Sequence, residues 1–205
     1  IMNDSINSQI NERLAYVDFK LRFTGHISRA DLRDTFGIAE AAASRVLSEY
    51  STFRKQNKTP RANTILRESF EPLITINSEV ALGMLAHGFN GNKLHGKTEL
   101  AYEKIGLLSN YIDVESVAKI TRAIAGKYAI SCTYMSENSD NHEDRILLPH
   151  AIMHDGTSWM FRAYERIDNK FKNFHFRRSF NVKEFHIDKA FRQQDKESAF
   201  HDKHW

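Results

Sequence analysis

RILLPHAIMHDGTSWMFRAYERIDNKFKNFHFRRSF, Arg145 to Phe180, is the stretch whose reading decides the fold, because its residues alternate between turn signals at strand spacing. Arg145 to Leu148 reads as a strand stopped by Pro149, whose ring nitrogen offers no donor to a ladder. Asp155-Gly156 is a pair favoured in tight hairpin turns. Ser158 to Ile167 and Phe171 to Phe180 read as two further strands, with turn-like Asp168-Asn169 between them. Side chains alternate across a strand, so Trp159, Phe161, Ala163 and Glu165 point one way and Met160, Arg162, Tyr164 and Arg166 the other. A small twisted sheet or barrel is predicted, apolar on one face and presenting Arg162 and Tyr164 on the other.

A chain of 205 residues, 41% of them hydrophobic, is long enough to bury a core, and two small domains fit it better than one. The lone Cys132 excludes an intrachain disulfide framework. There is no signal-like start and no apolar run of about 18 residues, which predicts a cytoplasmic protein without a membrane partner. A net charge of +3 does not by itself mark a nucleic-acid binder. The distribution of charge says more: from Thr52 to Arg67 stand Arg54, Lys55, Lys58, Arg61 and Arg67 with no acidic residue.

Upstream, Asn7 to Phe23 reads as an amphipathic helix with Ile10, Leu14, Val17 and Leu21 at helical spacing and Glu12, Asp18 and Lys20 on the surface. Gly25 ends it. Ser28-x-x-Asp31 is a capping-box start for a second helix running to Thr35. Phe36-Gly37-Ile38 is then a turn, and Ala39 to Tyr50 a third helix that buries Val46 and Leu47. Helix, glycine turn and helix make the helix-turn-helix pattern, although an ordinary three-helix packing unit would read the same. On a helix beginning near Ala39, the residues placed to enter a major groove are Glu40, Ala41, Ser44, Arg45 and Ser48. Arg45 is the best candidate for a base contact, since a guanidinium fits the paired acceptors of a guanine edge; a phosphate contact or a solvated charge is the alternative. Ser28 and Arg29, at the entrance of the second helix, suit phosphate. The basic run holding Arg54, Lys55, Lys58 and Arg61 reads as a wing, or else as a solvated basic loop.

Phe70-Glu-Pro72 closes this first domain. Ser78 to His87 reads as a short helix, Gly88 to Gly96 as a loop, Tyr102 to Leu108 as a further apolar segment, and Asp113 as the cap of a helix reaching Lys127.

No catalytic constellation stands out, and no cofactor or metal is expected. His150 and His154 have the offset that would let two imidazoles share a metal on a helix, the basis of a metal-dependent hydrolase reading. The glutamate of the zinc-hydrolase motif is missing between them, and Pro149 and Gly156 favour a strand end and hairpin. His201 and His204 are weaker candidates still, and Cys132 on an apolar strand reads as core.

Ile130-Ser-Cys-Thr-Tyr134-Met-Ser136, Arg145, Pro149-His150, Asp155-Gly156, Trp159, Arg162-Ala-Tyr164, Phe171-Lys172-Asn-Phe174 and Arg178 follow one another as in the WYL domain, which this region resembles. The WYL domain is a small Sm- or SH3-like β-barrel of bacterial transcription regulators. The order and spacing resemble the branch found beside anti-phage defence genes, regulators of the BREX and CBASS type. The name-giving Trp-Tyr-Leu reads Trp159-Met160-Phe161 here, and Lys172 stands where the family usually has arginine. Gly25 to Ile38 resembles the reader domain of the same regulators, with Ala39 in place of their serine cap.

The resemblance implies an α+β chain with a winged helix-turn-helix over residues 1–72, a helical connector over 73–127 and a WYL barrel over 128–182. Residues 183–205 would begin a C-terminal segment that the sequence truncates. It also implies a homodimeric repressor of a phage-defence operon, bound to a palindromic double-stranded operator. A nucleotide or nucleic-acid effector would release it. Tyr134, Ser136, Arg145, His150, Arg162, Tyr164, Lys172 and Arg178 match the family's ligand pocket in order. As cations, hydroxyls and an imidazole converging on one face, they suit a phosphorylated ligand. The plainer alternative pairs Arg145 and Arg178 with Glu143, Asp144 or Glu165. A rival function is an RNA- or single-strand-binding module in which the barrel is the main surface.

Overall fold

The computed structural model describes residues 10–94, 100–101, 111–137 and 144–185. The expected segments at Tyr102–Leu108 and beyond residue 185, as well as Glu143, His201 and His204, lie outside these. The chain divides into two compact units, Ile1–Ile76 with Phe89–Gly96, and Asn77–Gly88 with Lys97–Trp205.

In the first unit, α1 spans Glu12–Thr24, α2 Arg29–Phe36 and α3 Glu40–Arg54. Asn11 caps α1 by accepting from the Leu14 amide at 3.0 Å, and Gly25 ends it at φ 82°, a conformation costly to residues with a Cβ. The capping box of α2 forms in full: Ser28 Oγ accepts from the Asp31 amide at 3.0 Å, and the Ser28 amide donates to Asp31 Oδ2 at 2.9 Å. Gly37 turns the chain at φ 63° into α3, whose start at Ala39 has no side-chain cap. Leu14, Val17, Leu21, Ile27, Leu32, Ala43, Val46, Leu47 and Tyr50 form the shared core.

After α3 comes a 3-10 turn, Lys55–Asn57, and then a short hairpin in which Lys58 bridges Ile65. The α1–α2 link joins this hairpin through His26 and Thr64. Asp18 is not on the surface, as expected, but buried at 1% exposure. It accepts from the Tyr50 hydroxyl at 2.6 Å and from the Leu73 and Ile74 amides at 3.0 and 3.1 Å. Three donors from distant segments converge on it, so its place is set by long-range contacts that helical periodicity does not encode. Asn57 extends the network, donating to Tyr50 Oη and to the Glu71 carbonyl, both at 2.8 Å.

The second unit is mixed α+β. Helices α4 (Ser78–His87) and α5 (Val114–Gly126) are capped by Asn77 and Asp113. Five antiparallel strands follow, β1 (Ala129–Tyr134), β2 (Asp144–His154), β3 (Trp159–Glu165), β4 (Lys170–His175) and β5 (Ser179–Phe185), in the order β4-β3-β2-β1-β5. Helix α5 packs on β1, β2 and β5. The sheet is an open ladder; among the described residues β4 and β5 do not pair to close a barrel.

Two strand readings need correction. Pro149 does not stop β2, which continues to His154. The register with β3 shifts between Pro149 and Ala151, so His150 is the extra residue of a bulge, a setting in which a missing ladder donor is tolerated. Nor is Phe171 to Phe180 one strand. A 3-10 turn over Phe176–Arg178 separates β4 from β5, because the chain leaves the β3 edge there to pair with β1, burying Phe176 on the way.

Candidate functional site

Helix α3 has two sides. Ala43, Val46, Leu47 and Tyr50 face the core, while Glu40, Ala41, Arg45 and Ser48 are exposed and Ser44 is half-buried. The split follows the helical period and leaves an uninterrupted solvent stripe with Arg45 at its centre. At the helix start the Glu40 carboxylate lies between two guanidiniums of α2, 3.1 Å from Arg29 Nε and 3.1 Å from Arg33 Nη1. Ser28 is half-buried and its oxygen is engaged in the capping box.

The four basic residues assigned to a wing divide. Lys55 and Arg61 are exposed. Arg54 instead donates to the Phe53 and Glu71 carbonyls at 2.9 and 3.2 Å. Lys58 is buried and donates to Asn63 Oδ1 at 2.8 Å, and burial pulls its pKa down. A hairpin this short has little apolar core of its own, so Lys58 ties it together from within, while Arg54 fastens the end of α3 to Glu71.

The eight residues expected to converge on one face of the sheet do not. Register and alternation place them on both sides. Arg145 pairs with Cys132, Glu165 with Leu147, and Lys172 with Ala163, so the side chains of Tyr134, Arg145 and Lys172 share the core face with Phe161 and Phe174. There the two cations gather around Glu165, which is 2% exposed. Arg145 Nη1 lies 2.8 Å from Glu165 Oε1 and Lys172 Nζ 2.5 Å from Oε2. Lys172 also pairs with Asp168; burial pulls its pKa down, but the two carboxylates hold it above the ordinary lysine value. The Arg145 guanidinium lies over the Tyr134 ring, 5.6 Å from its centroid. Arg145 thus takes the plainer alternative and pairs with Glu165, whereas Arg178 pairs with Glu137. Ser136 lies half-buried just past β1.

On the opposite face the ring of Phe171 is the hub. His150, raised by the bulge, meets its edge at 5.4 Å; Tyr164 packs at 5.1 Å, and the Arg162 guanidinium lies 5.8 Å from its centroid. Arg162 also donates to Asn173 Oδ1 at 2.9 Å, and Tyr164 Oη to Asn169 Oδ1 at 3.2 Å. An imidazole, a phenol and a guanidinium around one half-buried ring can stack on a base and bond its edge or a phosphate. Phe171, Asn173 and Glu165 were not among the expected site residues. The turn-like Asp168-Asn169 between the strands is the one signal that brings Phe171 opposite Tyr164; Glu165 is expected only as an alternative ion-pair partner, and nothing local marks it as a hub. Cys132 is buried and its thiol is pushed up to about 12, chiefly by desolvation, which favours the protonated, unreactive form.

Among the described residues no helix is long and apolar enough to cross a membrane. Residues 115–183, from α5 to β5, match the WYL domain family. The chain is similar to curated proteins named DNA-binding transcriptional repressor CapW. It is 29% identical to that of Escherichia coli (strain KTE188) over 79% of this chain and 57% of that protein. With the Pseudomonas aeruginosa protein it shares 28% identity over 79% of this chain and 57% of the relative. The Stenotrophomonas maltophilia protein gives 29% over 80% and 58%. The chain therefore spans a little over half the length of these relatives. A solved structure, Proteasome accessory factor B/C (PafBC) of Arthrobacter aurescens, aligns over 84% of this chain and 32% of its own at 15% identity and TM-score 0.33. Residues 115–183 thus carry a WYL domain, and about four-fifths of the chain is similar to the CapW repressors.

Proposed function

We propose that this chain is a sequence-specific DNA-binding repressor whose first unit reads duplex DNA as a winged helix-turn-helix and whose WYL domain senses a nucleotide or nucleic-acid effector. The observation that carries the first part is the exposed stripe of α3, with Ala41, Arg45 and Ser48 free of the core behind a glycine turn. The names of the relatives support the same reading. Lys55 and Arg61 are the wing cations left open to phosphate. A homodimer would place two α3 helices in successive major grooves about 34 Å apart on a palindromic operator.

The effector surface is the Phe171 face, with His150, Arg162 and Tyr164 as contacts; the Glu165 group is a supporting ion network. An effector changes operator affinity only through its preference between two dimer arrangements, and by no more than that preference. In this reading the operon belongs to an anti-phage defence system. The aromatic hub also supports a second reading, a single-strand-binding module, which predicts preference for single strands over any duplex.

Arg45→Ala separates base reading from phosphate contact. It should weaken operator binding by about 1–3 kcal/mol while changing random-duplex binding little, measured by anisotropy at fixed salt. Equal loss on both duplexes would make Arg45 a phosphate contact.

A further inference from the structure

Glu40, one of the residues placed to enter the groove, is held between two arginines of α2. We propose that Glu40 is an internal competitor for DNA phosphate at Arg29 and Arg33, and that it widens the gap between specific and non-specific duplex binding. This rests on α3 being the helix that meets DNA. Arg29 and Arg33 are one turn apart on α2 and so share a helix face. Each reaches a different oxygen of Glu40 at 3.1 Å. The three side chains are 45–56% exposed, so nothing buries the cluster.

Exposed ion pairs of this kind hold their partners weakly, and a phosphate oxygen is an equally good charge-assisted acceptor. The arginines can therefore exchange carboxylate for phosphate. Glu40 stays close by, because it occupies the first helical position of α3, where Ala39 supplies no cap and the free amides favour an anion. The nearby acids do not replace it: Asp31 is engaged in the α2 capping box and lies 4.0 Å from Lys20. Once the arginines turn to the backbone, the Glu40 charge stands uncompensated beside phosphates and opposes binding on an arbitrary sequence. On an operator that presents a donor there, such as a cytosine amino group, the cost is offset.

The test uses the full chain and a random-sequence duplex titrated over a range of salt. Glu40→Gln should tighten random-duplex binding roughly tenfold at low salt, from relief of like-charge repulsion. It should also steepen the log–log salt slope by roughly 0.9 for each arginine released to phosphate. In an Arg29→Ala/Arg33→Ala background only the like-charge part should remain, so the same change should tighten binding clearly less and leave the salt slope unsteepened by released arginines, with thermal unfolding confirming that each variant folds. No tightening, or equal tightening in both backgrounds, would overturn the inference and leave the DNA-binding reading standing. Wild-type protein that binds no duplex at any salt would overturn both.

Discussion

Arg122→Ala should destabilise the WYL unit by about 3–5 kcal/mol, because it strands a buried carboxylate. Arg122 on α5 and Glu184 on β5 form a two-pronged pair, Nη2 to Oε1 at 2.7 Å and Nε to Oε2 at 3.2 Å, with side chains only 7% and 6% exposed. Tyr128 also donates to Glu184. A water-exposed pair would be worth at most about 1 kcal/mol, so burial decides the magnitude. The check is urea denaturation followed by a probe in the sheet. Replacing both partners by apolar residues of similar volume, Arg122→Met with Glu184→Leu, should recover most of the loss, since two desolvation costs vanish with the pair. A single variant within about 1 kcal/mol of wild type would mean that the pair is solvated in solution.

The other large effect lies in the first unit. Asp18→Ala leaves the Leu73 and Ile74 amides and the Tyr50 hydroxyl without their acceptor, at a cost of about 1–3 kcal/mol for each buried group left unsatisfied. A total loss of about 3–5 kcal/mol is expected after partial relaxation. Asp18→Asn keeps an acceptor for the amides and should be far milder. Desolvation raises the Asp18 pKa against the pull of the Tyr50, Ile74 and Leu73 hydrogen bonds and the Arg22 charge. An acid raised in the folded state holds its proton more tightly folded than unfolded. Its contribution to stability therefore falls as pH climbs from the unfolded carboxylate value through the raised folded one, and stays lost above it. Asp18→Asn removes that slope, so its stability relative to wild type should improve from acid toward neutral pH. The opposite trend would show that Asp18 acts as a paired anion of Arg22.

What could be read in the sequence was whatever depends on neighbouring residues. The Ser28–Asp31 capping box, the Gly37 turn, the Ser78–His87 helix and the Asp113 cap are local chemistry, and the sequence states each of them outright. The period-2 pattern of β3 likewise separates the face of Phe161, Ala163 and Glu165 from that of Arg162 and Tyr164. What escaped depends on distant partners. Pro149 looked like a stop because a bulge exists only relative to β3, and Asp18 looked solvated because its donors lie up to 56 residues away. The candidate site suffered most. Parity within each strand was readable, but parity between strands is set by register, and register puts Arg145 and Lys172 on the face opposite Arg162 and Tyr164.

Duplex recognition by α3 is the central claim. The most direct measurement is a footprint of the full chain on the DNA upstream of its own gene, with random duplex and single-stranded competitors at two salt concentrations. A protected palindrome that survives random duplex and fades with salt is the predicted result. No footprint, with binding displaced by single strands alone, would contradict it and make the Phe171 face the main nucleic-acid surface.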